Sequence, residues 1–367
     1  MLNRALTVFL ITAAATLGLA QDASKVNQPT LTPQNSGTTQ LLIAVSPVNS
    51  KVVWAAGTGG TYVVTTDGGN TWKSGVVPGT EQLQFRDVQG VSDKVAYLMS
   101  IGNDTTNFRI YKTADGGATW EIQFVNETAS AFYDCLAFWK ANNGVAHSDS
   151  VNGVFPDLRT SNGQKWNSIS GNMPPALAGE ASFSASGTCI TTQGDSNAWI
   201  ATGGSAIARI LATTDGGSTW NAYDTPLVSN PSAGGISVAF RDASHGILGG
   251  GDLSTNKSAA TVTSDDGGHT WALTKKPPMG GSIFCLAYAN GATLKTAGAA
   301  NHDYDRTVVV TAETEPDFDS GSAAWTPDEG QTWYRLPNVS GYWAVGFADP
   351  HAGWFVGNNG QILKISF

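Results

Sequence analysis

Thr65-Thr66-Asp67-Gly68-Gly69-Asn70-Thr71-Trp72 decides the fold, because the chain keeps returning to it. Close copies stand at residues 113–120 (TADGGATW), 213–220 (TTDGGSTW), 264–271 (SDDGGHTW) and 326–333 (TPDEGQTW), and a shortened copy at 160–166 (TSNGQKW) fills the gap between the second and third. From one Trp to the next is 46 to 62 residues, the length of one propeller blade. The motif makes physical sense as a hairpin turn. Asp accepts hydrogen bonds from backbone N–H groups ahead of it, Gly takes a left-handed position, and Trp opens the next strand as an anchor. The carboxylates of Asp67, Asp115, Asp215, Asp266 and Asp328 are thereby occupied by their own turns, which makes them structural groups and not acids or metal ligands.

Outward from the motif, apolar inner strands set the count. Segments ending at Val45, Val91, Phe138, Gln193, Phe240, Tyr288 and Phe347 each begin a blade, and a second apolar strand follows within a few residues. The expectation is an all-β chain, a single seven-bladed β-propeller of four-stranded blades over residues 21–367, each motif copy joining the third and fourth strands. The last blade ends after Gln361-Ile362-Leu363-Lys364-Ile365 with three strands, so residues 29–36 are predicted to supply its outer strand and close the ring, removing the exposed edges.

Bulk properties narrow the function. Residues 1–20 read as an export signal: Arg4, an apolar run from Ala5 to Leu19, then a small-residue cleavage site, which implies a secreted, extracellular product. No later stretch reaches eighteen apolar residues, so membrane insertion is not expected. The net charge of −9, with no basic cluster beyond Lys275-Lys276, argues against nucleic acid. Gly at 43 residues and Trp at 12 suit short strands and tight turns. Sequons begin at Asn103, Asn126, Asn256 and Asn338, candidate glycosylation sites in an exported chain. Cys135 and Cys189 belong to neighbouring inner strands and either bridge or stay buried as thiols; Cys285 lies three blades away. No dinucleotide fingerprint, redox cysteine pair or haem motif is present, so no cofactor is expected. Asp317 and Asp319 lack the later ligands of a calcium loop, and no metal is assigned.

With these motifs in place the chain resembles the BNR/Asp-box propellers of the sialidase-like superfamily. More closely it resembles the photosystem II stability/assembly factor-like proteins of plants and bacteria. The closer likeness rests on Phe85-Arg86-Asp87-Val88, residues 133–139 (YDCLAFW), Gly179-Glu180 followed by residues 184–189 (SASGTC), residues 199–204 (WIATGG) and residues 239–242 (AFRD). It implies a non-catalytic, assembly-factor-like monomer that binds a protein or glycan; the wider superfamily adds glycoside hydrolases and polysaccharide lyases as the alternative. A sialidase mechanism needs three Arg on a carboxylate, and here Arg109, Arg159 and Arg335 fall in or near outer strands.

A ligand site is expected on the face opposite the Asp turns, at the mouth of the central channel. Aligned inner strands place Gln40/Leu41, Arg86/Asp87, Tyr133/Asp134, Thr188/Cys189, Gly235/Ile236, Ile283/Phe284 and Tyr342/Trp343 at the strand tops. The polar side of the mouth is assigned to Arg86, Asp87, Tyr133, Asp134, His147 and Glu180, with Asp149, Arg209, Asp252 and His302 in top loops and Tyr342 and Trp343 opposite. His147, Tyr133 and Glu180 are the candidate proton movers if the chain is an enzyme. The competing reading is that Arg86 merely pairs with Asp134 or Glu180 to satisfy buried strands.

Overall fold

The computed structural model describes residues 28–255, 258–291, 304–313 and 322–367, and these form seven four-stranded antiparallel sheets arranged as a propeller. The inner strands are Leu42–Pro47, Gln84–Gly90, Tyr133–Lys140, Ile190–Gln193, Ala233–Phe240, Ser282–Tyr288 and Tyr342–Asp349. Inner and second strands are buried nearly throughout, whereas fourth strands such as Lys73–Val76 and Asn167–Ser168 are largely exposed. That gradient gives each sheet an apolar body packed against its neighbours and a thin wet rim. Trp54, Trp199 and Trp354, all on second strands, are among the largest fully buried side chains. Trp54 and Trp199 send their indole N–H to a backbone oxygen of the following blade, Trp54 to Ser92 O at 2.8 Å and Trp199 to Gly267 O at 2.8 Å.

The ring closes where the sequence predicts. Thr30–Asn35 pairs antiparallel with Gln361–Ser366, Thr30 opposite Ser366 and Asn35 opposite Gln361, completing the last blade. Gln34 Oε1 fastens the joint by accepting from Trp72 Nε1 of the first blade at 3.1 Å and Trp354 Nε1 of the seventh at 3.2 Å.

Every full motif copy joins a third strand to a fourth. In the first, Thr71 donates to Asp67 from its backbone N–H at 2.9 Å and from its hydroxyl at 2.7 Å, and Gly69 N–H donates to Thr65 Oγ1 at 2.9 Å. Thr119, Thr219 and Thr270 repeat both contacts with Asp115, Asp215 and Asp266, and Thr332 N–H does so with Asp328 at 2.7 Å. Hydrogen bonds to the charged form hold Asp67 and Asp115 down at about 2. In the fifth copy Glu329 replaces the first glycine and takes its left-handed backbone, φ 55°. Arg241 at 2.7 Å, Arg306 at 2.9 Å and the Tyr288 hydroxyl at 2.9 Å hold its carboxylate there. Arg241-Asp242 is accordingly a bottom-face turn element.

Candidate functional site

One irregularity repeated around the ring builds the mouth. Near the upper end of six inner strands the ladder slips by one residue, between Leu42/Ala44, Phe85/Asp87, Tyr133/Cys135, Gly235/Ser237, Ile283/Cys285 and Tyr342/Ala344. A bulge of this kind re-aims the extra side chain. The skipped residues are Ile43, Arg86, Asp134, Ile236, Phe284 and Trp343, and four of them, with Ala185 of blade 4, form one buried apolar cluster. Arg86 and Asp134 are the two polar members of an otherwise apolar ring. In blade 1 the ring residue is therefore Ile43, not Gln40 or Leu41 as the sequence alignment had it; the inner strand runs to Pro47, two residues beyond the Val45 end read from the sequence.

Residues just below the bulge tie neighbouring blades together. Leu136 N–H donates to Asp87 Oδ2 at 2.6 Å, Leu286 N–H to Ser237 Oγ at 2.9 Å and Val345 N–H to Cys285 Sγ at 3.3 Å. Between blades 3 and 4 the same position carries a Cys135–Cys189 disulfide, with Cα atoms 6.1 Å apart. Asp87 is thus part of the channel wall: it accepts two backbone N–H groups, and burial raises its pKa well above the usual carboxylate range.

Blade 4 departs from the pattern. Its inner strand is only Ile190–Gln193, because residues 182–188 leave the sheet and cross the channel. Ser184 O accepts from Arg86 Nη1 of blade 2 at 3.1 Å, Ser186 Oγ donates to Phe284 O of blade 6 at 2.7 Å, and Thr188 Oγ1 meets Ser237 Oγ of blade 5 at 2.7 Å. Gly187 fits because it lacks a side chain: its φ is 77°, and a Cβ there would stand 2.4 Å from Asp87 Oδ1. This plug separates a lower chamber of about 120 Å³ from an upper cavity of about 480 Å³.

The upper cavity has an apolar wall of Phe132, Phe183, Leu253, Phe284 and Trp343 and a polar wall of Arg86, Asp134 and Asp149. The Arg86 guanidinium lies 5.6 Å from the Trp343 ring centroid, and its Nε is buried with no hydrogen-bond partner among the described residues. The same holds for Asp134 Oδ2. Burial pushes Asp134 well above the usual carboxylate range, and Asp149, which hydrogen-bonds to it, pushes further; Asp157 adds to this and Arg86 pulls back. Asp149 is raised chiefly by burial, opposed by the Ser182 N–H it accepts at 2.9 Å. Two buried carboxyl groups that hydrogen-bond to each other titrate as a pair, and both are pushed above the usual carboxylate range. Burial lowers the Arg86 pKa, yet a guanidinium stays charged, so the polar wall sets one cation beside two carboxyl groups.

The other sequence candidates are absorbed by the fold. Glu180 pairs with Arg209, not with Arg86: Arg209 donates through Nε at 2.9 Å and through Nη2, and Thr202 Oγ1 and Leu177 N–H fill the rest of the carboxylate. His147 is fully buried beside Phe155, its Nδ1 held 2.9 Å from Asp157. Tyr133 donates to Pro156 O at 2.8 Å. Asp252 collects Ser232, Ser254 and Asn230, whose hydrogen bonds lower its pKa. Tyr342 packs on Phe355. Asn126 is buried, its amide donating to two carbonyls, which leaves no room for a sugar; Asn103 and Asn338 are exposed. Residues 1–20, Asn256, His302, Asp317 and Asp319 lie outside the described residues. What the sequence did not reveal is the plug. Its one signal is the serine at every second position over residues 182–186 (SFSAS), where other blades begin with apolar strand residues.

By sequence, the chain matches no protein-family model and no curated protein. By structure it superposes on YCF48 bound to D1 peptide with a TM-score of 0.61 at 16% identity, covering 94% of this chain and 98% of that one. YCF48 from Cyanidioschyzon merolae gives a TM-score of 0.63 at 16% identity, covering 92% and 98%. The GH74 xyloglucanase from Xanthomonas campestris gives 0.58 at 12% identity, covering 91% of this chain and 53% of that one. The likeness at these identities is one of fold: a seven-bladed propeller of the kind found in an assembly factor and in glycan-active enzymes.

Proposed function

We propose that this chain is an exported, non-catalytic binding propeller that takes a peptide segment of a partner protein at the upper mouth of its channel. The observation that carries the reading is the upper cavity itself, where Arg86, Asp134 and Asp149 stand beside an aromatic wall. Arg86, Asp134 and Asp149 offer hydrogen-bonding groups in the cavity wall to a ligand's amides while an apolar side chain enters against Phe284 and Trp343. A similar propeller, YCF48, is known bound to D1 peptide, which supports a peptide as the occupant. The buried disulfide suits an oxidising compartment and supports export.

Catalysis loses its proton movers on this reading. His147, Tyr133 and Glu180 are each held by their own fold. The remaining carboxyls, Asp134 and Asp149, act on each other through a side-chain hydrogen bond. Glycosidases hold theirs about 5–5.5 Å apart for retention and about 6.5–9.5 Å for inversion. A bound glycan is the second reading, favoured by the aromatic wall, on which a sugar ring can stack.

Panels of short peptides and of oligosaccharides, followed by hydrogen exchange with the strongest hit, test the proposal. Protection should appear in residues 182–189 and 342–345 upon adding a peptide. Protection confined to the Asp turns contradicts it, and a hit among the sugars alone replaces the peptide by a glycan.

A further inference from the structure

A second cavity of about 610 Å³ opens on the same face between blades 3 and 4 and shares Asp149 with the mouth. Its lining is unlike the mouth's. Gly153, Ala176, Ala178, Gly179 and Ala181 keep it shallow-walled and free of bulk, and Ser130, Ser150 and Asn152 supply hydroxyl and amide groups. Ser130 (φ 68°) and Asn152 (φ 52°) both hold left-handed backbone, two of five such non-glycine residues among those described. Asn tolerates that conformation; Ser rarely adopts it, and such residues collect at binding sites. Val154, next in the chain to the lining residue Gly153, is 48% exposed.

We infer that the peptide continues past the mouth, over Asp149, into this second cavity, so that the ligand is an extended chain and not an isolated side chain or terminus. The inference rests on the peptide reading of the mouth. Asp149 is the shared wall, anchored by Ser182 N–H on the plug side and facing both spaces. A chain entering the mouth with an apolar side chain lays its following residues across small side chains, with Ser150 and Asn152 meeting its backbone and Val154 its next apolar group. Small residues let the two backbones approach, and the hydroxyl and amide groups satisfy the peptide's N–H and C=O as water is displaced.

The test uses acetylated, amidated peptides from a positional-scanning library, lengthened one residue at a time at either end of the shortest binder, titrated into the full chain. Extension at one end should tighten binding by about tenfold or more, and extension at the other should not. Ala178→Trp, which places bulk on an exposed wall of the second cavity, should abolish that gain and leave the shortest peptide's Kd unchanged. Arg86→Ala should weaken short and long peptides alike. Arg86-dependent binding with no length dependence, or a gain that survives Ala178→Trp, overturns the extension alone. Binding that ignores Arg86 overturns the mouth reading and the extension together.

Discussion

Arg86 of blade 2 stands 5.6 Å over the Trp343 ring of blade 7, so two blades that are not neighbours meet at the channel mouth. Ser184 O of the plug fixes the guanidinium from a third direction. A charged group held this way loses little further freedom on binding, which is what preorganisation means here.

Asp134→Asn should raise stability at neutral pH. A buried carboxyl with a raised folded pKa disfavours the fold as pH climbs above the unfolded value of about 3.9, and the penalty is absent below it. Asn keeps a donor toward Asp149 and cannot ionise. Thermal melts should therefore show the variant ahead of the parent at pH 8, with the gap closing toward pH 4. A gap of the opposite sign at pH 8 would mean that Asp134 is ionised and paired with Arg86.

Gly187→Ala should damage the plug. A methyl group 2.4 Å from Asp87 Oδ1, on backbone with φ 77°, forces either the plug or the blade 2 wall to move. The expected loss is about 1–3 kcal/mol from crowding and left-handed strain. Chemical denaturation measures it; a loss within error would show that residues 182–188 do not pack across the channel as described.

Removing residues 1–37 should lower the melting temperature and promote association. The deletion bares the Gln361–Ser366 edge, leaves Trp72 and Trp354 without the Gln34 oxygen, and exposes pairing groups to other chains. Differential scanning calorimetry with light scattering reads both effects. An unchanged monomeric melt would contradict the strand's role in closing the ring.

The repeated turn made the architecture legible: six Asp or Asn turns and seven apolar strand starts fix blade number, turn position and ring closure with no knowledge of tertiary contacts. The site was legible only in part. Arg86, Asp134 and Trp343 were placed by aligning strand tops, but the blade 1 inner strand runs to Pro47, two residues beyond the Val45 end read from the sequence, so its ring residue is Ile43 and not Leu41. A one-residue bulge has no period to betray it. Glu180, His147 and Tyr133 looked free because their partners, Arg209, Asp157 and Pro156 O, come from a following strand or a top loop, and residue type alone does not show who sits opposite. The plug was invisible because a segment leaving its sheet obeys no alternation.

Isothermal titration of the tightest peptide into the parent, Arg86→Ala and a bottom-face control, Lys94→Ala, tests the central claim most directly. All three proteins should first be matched for fold by circular dichroism. The mouth reading predicts that Arg86→Ala weakens binding about tenfold or more, as expected for an anchoring arginine, while Lys94→Ala binds as the parent does. Equal affinity in the parent and Arg86→Ala would place the ligand elsewhere on the propeller and contradict the account.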